Sequence, residues 1–222
     1  MAISTEKKRT YVLLHGLGGK GKPNDDGVDT WLNDLAAELI AAGHTVIYPN
    51  LVRPKNPNLQ KWVADIVNIL KGLPHWKDVT IIGFSLGAVA LMHALARLRS
   101  QSFVADRIIF VSPCYISPGM VPGGMPPCVR DFIPPSKAQA GWIRTAVGGG
   151  GKTWMICGEN DFYGGEDHFA AFAERLGAEL YILDGARHVS LGSGYGPWRW
   201  MKAFCEYLTY VPPQGKDWRE RD

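Results

Sequence analysis

The chain has 222 residues, a length that suits one large domain better than two small ones. Apolar residues make up 46% and charged residues 20%, the balance of an ordinary globular protein. The formal charge of +3, from 24 basic and 21 acidic side chains with no Lys/Arg stripe, gives no case for nucleic acid, and no segment approaches the roughly 18 apolar residues of a membrane span.

The first element is the short apolar run at 11–14, Tyr-Val-Leu-Leu, which reads as a strand. It is far too short for the core of a signal peptide despite the basic residues before it, so a cytoplasmic location is expected. Next, Trp31, Leu32, Leu35, Ala36, Leu39 and Ile40 share one helical face, stopped by Gly43. A strand at 45–48 follows, then a second amphipathic helix carried by Leu59, Trp62, Val63, Ile66, Val67 and Leu70 and ended by Gly72. A strand at 79–82 leads into residues 86–98, which are apolar nearly all round and predict a buried helix.

Strands are also predicted at 107–111, 153–157 and 179–183. Phe169, Phe172, Ala173 and Leu176 form a helical face ending at Gly177. Pro197 is expected to open a last helix with Trp198, Met201, Phe204, Cys205 and Leu208 inside, because proline suits the first helical position. Strands of this kind, apolar on both faces and alternating with helices, predict an α/β fold, a three-layer α/β/α sandwich around a mostly parallel sheet of about six strands. Residues 1–210 read as one domain and 211–222 as a polar tail.

Residues 113–151 break the alternation. They are rich in Pro and Gly, show little apolar period, and end in a glycine run at 148–151 that reads as a flexible hinge. Met120, Val121, Met125, Phe132, Ile133 and Trp142 within them could line an acyl pocket as a cap or pack the segment onto the domain. The four cysteines, Cys114, Cys128, Cys157 and Cys205, form no C-x-x-C pair, so zinc and thioredoxin chemistry lack support and free thiols are expected.

Three glycine-bearing motifs compete for the chemistry. His15-Gly16-Leu17-Gly18-Gly19-Lys20-Gly21 contains G-x-G-x-x-G, but a turn-like Pro23-Asn24-Asp25-Asp26 follows where a dinucleotide site needs a helix, and no acid ends the next strand. The segment 146–153 imitates a relaxed phosphate loop but runs into a strand instead of a helix. Gly83-Phe84-Ser85-Leu86-Gly87 alone has the right neighbours, a strand before it and a helix after it. A serine on such a sharp turn stands above the sheet edge, and the flanking glycines remove side chains that would collide.

An activated serine needs a base, and the base an orienting acid. Asp161 lies in the loop after the strand at 153–157, and His188 in the loop after 179–183; both loops leave the carboxyl edge that also carries Ser85. Glu159 and Asp167 are rival acids, His168 is the rival base, and Asp184 is too close in sequence to His188 to be the first choice. His44 reads as solvated in a helix–strand turn, His75 as lying in a loop away from this edge, and His93 as a core histidine. The backbone N–H groups of Leu17 and Leu86 are the candidate oxyanion donors. His15, Gly16, Phe84 and Cys114 are the candidate substrate-binding residues, although His15 reads more as structural and Cys114 more as a filler.

On His15-Gly16, 83–87, Asp161 and His188, residues 10–209 resemble the α/β-hydrolase superfamily. Among its branches the chain is similar to the small serine hydrolases of the retinoblastoma-binding-protein-nine type, through Ser193-Gly194-Tyr195-Gly196-Pro197-Trp198 after His188. The insertion at 113–151 departs from the compact members. The resemblance implies hydrolysis of ester-like bonds in a small-molecule acyl substrate without a cofactor or metal. A thioesterase or acyltransferase with the same three residues, or a silent binding module on this scaffold, remains open, as does the oligomeric state, with a monomer compatible.

Overall fold

The computed structural model describes residues 7–20, 30–73, 77–98, 105–115, 125–144 and 147–207. Six strands form one sheet: β1 (Thr10–Leu14), β2 (Thr45–Ile47), β3 (Val79–Phe84), β4 (Ala105–Val111), β5 (Val147–Gly158) and β6 (Glu179–Leu183). They pair in the order β2-β1-β3-β4-β5-β6, every pair parallel. The helices are α1 (Thr30–Ala41), α2 (Leu59–Lys71), α3 (Leu86–Leu98), α4 (Lys137–Arg144), α5 (Glu166–Leu176) and α6 (Arg199–Tyr207).

The period of two along the strands divides the interior into two cores. Val12, Leu14, Ile81, Ile108, Phe110, Met155 and Cys157 face the layer containing α2, α3 and α5. Their neighbours Tyr11, Leu13, Ile82, Phe84, Ile109, Val111, Trp154 and Ile156 face α1 and α6. This is the expected three-layer sandwich, and it explains why these strands are apolar at consecutive positions: both sheet faces are covered. Burying one such Leu, Ile or Phe contributes about 1.5–3 kcal/mol.

The helix faces read from the sequence are largely the buried ones; Ile40, expected on the inner face of α1, is instead 59% exposed. In α2, Leu59, Trp62, Val63, Ile66, Val67 and Leu70 are inside, and the Asn58 side chain accepts the Lys61 N–H as an N-cap. Helix α3 is buried at 11 of its 13 positions, so it forms the centre of its layer. Helix α5 stops at Gly177 in the left-handed conformation. Helix α6 begins at Arg199, two residues after Pro197, because Trp198 O accepts the Met201 N–H. Leu208 lies outside the described residues, as do Met120, Val121, His75, Pro23-Asn24-Asp25-Asp26 and the tail at 211–222.

The segment 113–151 holds more regular structure than its composition suggests. A 3-10 turn spans Pro127–Asp131, and α4 follows. A capping box starts α4: Gln139 Oε1 accepts the Ser136 N–H, and Ser136 Oγ accepts the Gln139 N–H. Phe132 is fully buried edge-on to Trp62, at 5.4 Å between ring centroids, so this side chain packs the segment onto the domain. His93 ties it down further, with Nε2 2.8 Å from Ile133 O. The glycine run expected to be a hinge is strand: β5 starts at Val147, and five residue steps from Val147 to Lys152 oppose two from Ala105 to Arg107 on β4. Glycine accommodates such an irregularity, and sheet pairing overrides its low strand preference. His44, expected to be solvated, is 8% exposed and packs on the Tyr11 ring, its Nδ1 facing the Arg9 N–H.

The strand order reverses between β1 and β3, the second and third strands of the sheet. The carboxyl ends of two such strands are the place where α/β folds commonly bind ligands.

Candidate active site

Ser85 sits at the end of β3 with φ +53°, in the left-handed region that non-glycine residues rarely adopt. Its N–H donates to Val111 O at 3.0 Å, extending the β3–β4 ladder by one bond, while its C=O accepts from Ala88 and Val89 and starts α3. The change from strand to helix is completed within one residue. The flanking glycines are steric necessities. A Cβ on Gly83 would lie 2.8 Å from Ala88 Cα, and one on Gly87 would lie 2.3 Å from His15 O.

Asp161 and His188 arrive on the loops after β5 and β6. These loops are stitched together: Glu159 N–H donates to Leu183 O at 2.8 Å, Arg187 N–H to Glu159 O at 3.0 Å, and Gly185 N–H to Glu159 Oε2 at 2.9 Å. Their backbones touch so closely that a Cβ on Gly158 would lie 1.9 Å from Arg187 O. Asn160, Arg187 and Val189 all take positive φ, which folds the loops back sharply toward Ser85. Tyr115 N–H donates to Tyr163 O at 2.8 Å and fastens the Asp161 loop to the loop after β4.

The three side chains form one line of hydrogen bonds. His188 Nε2 is 2.9 Å from Ser85 Oγ, and His188 Nδ1 is 2.9 and 3.1 Å from the two Asp161 oxygens. Asp161 Oδ1 also accepts the Tyr163 N–H at 2.9 Å. With Asp161 ionised, Nδ1 carries the proton and Nε2 is left free to accept from the Ser85 hydroxyl. All three residues are no more than 5% exposed.

A serine hydrolase family model matches residues 11–206. The chain belongs to the serine hydrolase family. No curated protein matches it. Among solved structures, this hydrolase is similar to the ydeN gene product from B. subtilis, at TM-score 0.67 and 19% identity over 89% of this chain and 96% of that one. It is also similar to a putative ydeN-like hydrolase from Pectobacterium atrosepticum, at TM-score 0.61 and 20% identity over 90% of each chain. A third is the meta-cleavage product hydrolase of Pseudomonas fluorescens, at TM-score 0.56 and 18% identity over 82% of this chain and 84% of that one. At these identities the likeness concerns the fold, which is the α/β-hydrolase fold.

Aromatic rings surround His188 of the hydrolase. Tyr163 stands edge-on at 4.5 Å between centroids, Phe84 lies at 5.3 Å, and Phe162 at 5.9 Å. Burial, then the nearby Cys114 thiol and Asp161 carboxylate, raise the Tyr163 phenol above its ordinary range and keep it protonated. Phe84 is itself buried against Trp31, at 5.5 Å. Cys114 is fully buried with Sγ 3.2 Å from Ser85 Oγ.

The loop after β1 supplies Gly16 and Leu17. Gly18 N–H donates to Pro54 O at 2.9 Å and holds this loop against the one after β2. Among the described residues, neither the Leu17 nor the Leu86 N–H meets a protein acceptor. His15 is turned inward and fully buried: Nε2 accepts the Leu51 N–H at 2.9 Å and Nδ1–H donates to Gly16 O at 2.7 Å. Burial lowers its pKa to about 4. Both ring nitrogens are used within the protein, so His15 supports the loop from beneath.

The rival residues are placed elsewhere. His168 is exposed on α5 with its ring 4.5 Å from that of Tyr115. Asp167 and Asp184 are exposed, and the Glu159 carboxylate is engaged by Gly185. The sequence reading missed Phe162 and Tyr163. Adjacency to Asp161 was the available signal, but nothing in their spacing shows that the loop folds back over His188. Among the described residues no group of His, Cys, Asp and Glu is suited to hold a metal ion. No helix among them is long and apolar enough to cross a membrane.

Proposed function

We propose that this serine hydrolase cleaves carboxylic esters of small acyl substrates through Ser85, His188 and Asp161. The observation that carries the reading is the unbroken hydrogen-bond line from Asp161 to His188 to Ser85 Oγ. The same line favours turnover over a silent binding module, since a scaffold kept only for binding has no need of a strained serine aligned with a base.

In this mechanism Ser85 Oγ attacks the carbonyl carbon while His188 Nε2 takes the hydroxyl proton. Asp161 holds the Nδ1 proton and stabilises the imidazolium. The uncommitted N–H groups of Leu17 and Leu86 receive the oxyanion; losing one such donor costs about 10²–10³ in rate in other enzymes. His188 then passes its proton to the leaving oxygen, and the alcohol departs. Water attacks the acyl-enzyme by the same route, releasing the acid and restoring Ser85. None of the four cysteines is joined in a disulfide, which fits a reducing compartment, and the cytoplasm is the proposed location.

Ser85→Ala tests the reading. The variant is expected to lose turnover of p-nitrophenyl esters and covalent labelling by a fluorophosphonate. Labelling as strong as that of the wild type would move the nucleophile elsewhere.

A further inference from the structure

Phe162 is the most solvent-exposed of the large apolar side chains in the described residues, at 65%. Its neighbours are not those of a surface accident. It follows Asp161 directly, packs on Tyr163 at 4.2 Å, and lies 5.9 Å from the His188 ring. His188 is almost wholly buried, with Phe84 and Tyr163 packed around it. Phe162 thus carries an apolar ring from the histidine out to solvent.

The chemistry of acyl transfer says what belongs there. The proton that His188 Nε2 takes from Ser85 must be delivered to the leaving oxygen, so that oxygen lies within hydrogen-bond reach of Nε2. The group attached to it leaves the catalytic line on the His188 side. The acyl carbon, by contrast, is held at Ser85 Oγ, where Cys114 Sγ is the close neighbour at 3.2 Å. On this basis, which rests on the ester-hydrolase reading above, we infer that Phe162 is a specificity-determining residue: its exposed ring is the platform for the alcohol part of the substrate. The substrate class is esters whose leaving group is a flat, apolar, aryl-like alcohol. Covering the ring in the complex removes both apolar surfaces from water, and ring-on-ring contact adds to that gain.

The test compares naphthyl acetate with ethyl acetate, two esters that share the acetyl-enzyme, in the wild type, Phe162→Ala and Phe162→Trp. Ethyl naphthylacetate, aromatic on the acyl side, is the control. Phe162→Ala is expected to lower kcat/KM about tenfold for naphthyl acetate and less than twofold for the two ethyl esters, as loss of about one covered side-chain face implies. Phe162→Trp should restore the naphthyl rate. Hydrolysis of the common acetyl-enzyme should be the same in all three proteins, because the alcohol has already left. An equal fall on naphthyl acetate and ethyl acetate, or a fall confined to ethyl naphthylacetate, overturns the platform. Fluorophosphonate labelling separates the two levels, since its fluoride leaving group needs no platform. Labelling of every variant with an unchanged aryl-to-alkyl ratio overturns the platform alone, whereas a wild type that neither labels nor turns over any ester overturns the hydrolase reading and the platform with it.

Discussion

Cys114 Sγ and Ser85 Oγ are 3.2 Å apart, with Cys114 fully buried. When the serine hydroxyl donates to His188 Nε2, its oxygen can still accept a weak bond from the thiol. Cys114 therefore limits the room beside Ser85 more than it adds chemistry. Cys114→Ala or Cys114→Ser should keep kcat/KM for a p-nitrophenyl ester within about tenfold of wild type. Cys114→Phe should lower it by at least about 100-fold, because added bulk displaces the serine and a misplacement near 1 Å costs that much. Steady-state kinetics beside melting curves separate this from unfolding.

Asp161 and Glu159 are two residues apart and have different partners. Asp161→Asn preserves shape but can no longer hold the Nδ1–H tautomer of His188, so kcat should drop by about 10⁴. Glu159→Gln weakens only the bond to the Gly185 N–H and is expected to reduce kcat less than about tenfold. Single-turnover measurements on both variants check the assignment; similar losses in the two would mean that Glu159 shares the orienting role.

Gly158 controls the distance between the Asp161 and His188 loops. A Cβ there meets Arg187 O at 1.9 Å, a backbone atom that cannot rotate away. Gly158→Ala should force the loops apart and cost about 100-fold or more in kcat. Fluorophosphonate labelling kinetics should slow in parallel. Gly141→Ala is the comparison, since nothing lies within 4 Å of a Cβ at that position, and it should leave activity unchanged.

His15 makes stability depend on pH. Its pKa is lowered to about 4 in the folded protein against 6.5 ordinarily, chiefly by burial. Between these values the unfolded chain binds a proton that the folded chain does not. The contribution is therefore complete above pH 6.5 and is lost as pH falls toward 4, by about 3 kcal/mol over the window. Urea unfolding at pH 7 and pH 4.5 should show a steeper loss in the wild type than in His15→Gln, which cannot titrate. Equal slopes would place His15 in contact with water.

Much of the fold is legible because the strands are mostly apolar on both faces and α1, α2 and α5 each carry a glycine stop. The buried face of α2 is residue for residue the one its period indicates. The segment 113–151 hides its regular structure from the sequence for a physical reason. Helix α4 has a usable capping box at Ser136 and Gln139, but it buries only Ala140 and Ile143, too little apolar period to stand out among prolines and glycines. The glycines at 148–151 have little strand preference of their own and are strand because β4 is there to pair with them. His44 looked solvated because its burial comes from Tyr11, thirty-three positions away.

By itself, then, the sequence determined the layers and the one serine placed between a strand and a helix. Those rest on period and turn chemistry, which are local and survive in a linear string. It also put Asp161 and His188, on two later loops, forward as the candidate acid and base. Only the tertiary structure shows which of the loop side chains meet. Asp161 meets His188 while Glu159 does not, because Asn160, Arg187 and Val189 take left-handed turns and Gly158 lets two backbones touch. The same folding turned His15 inward and left the Phe162 ring facing solvent beside His188. Such placements arise from contacts between segments far apart in the chain, and spacing along it does not encode them one residue at a time.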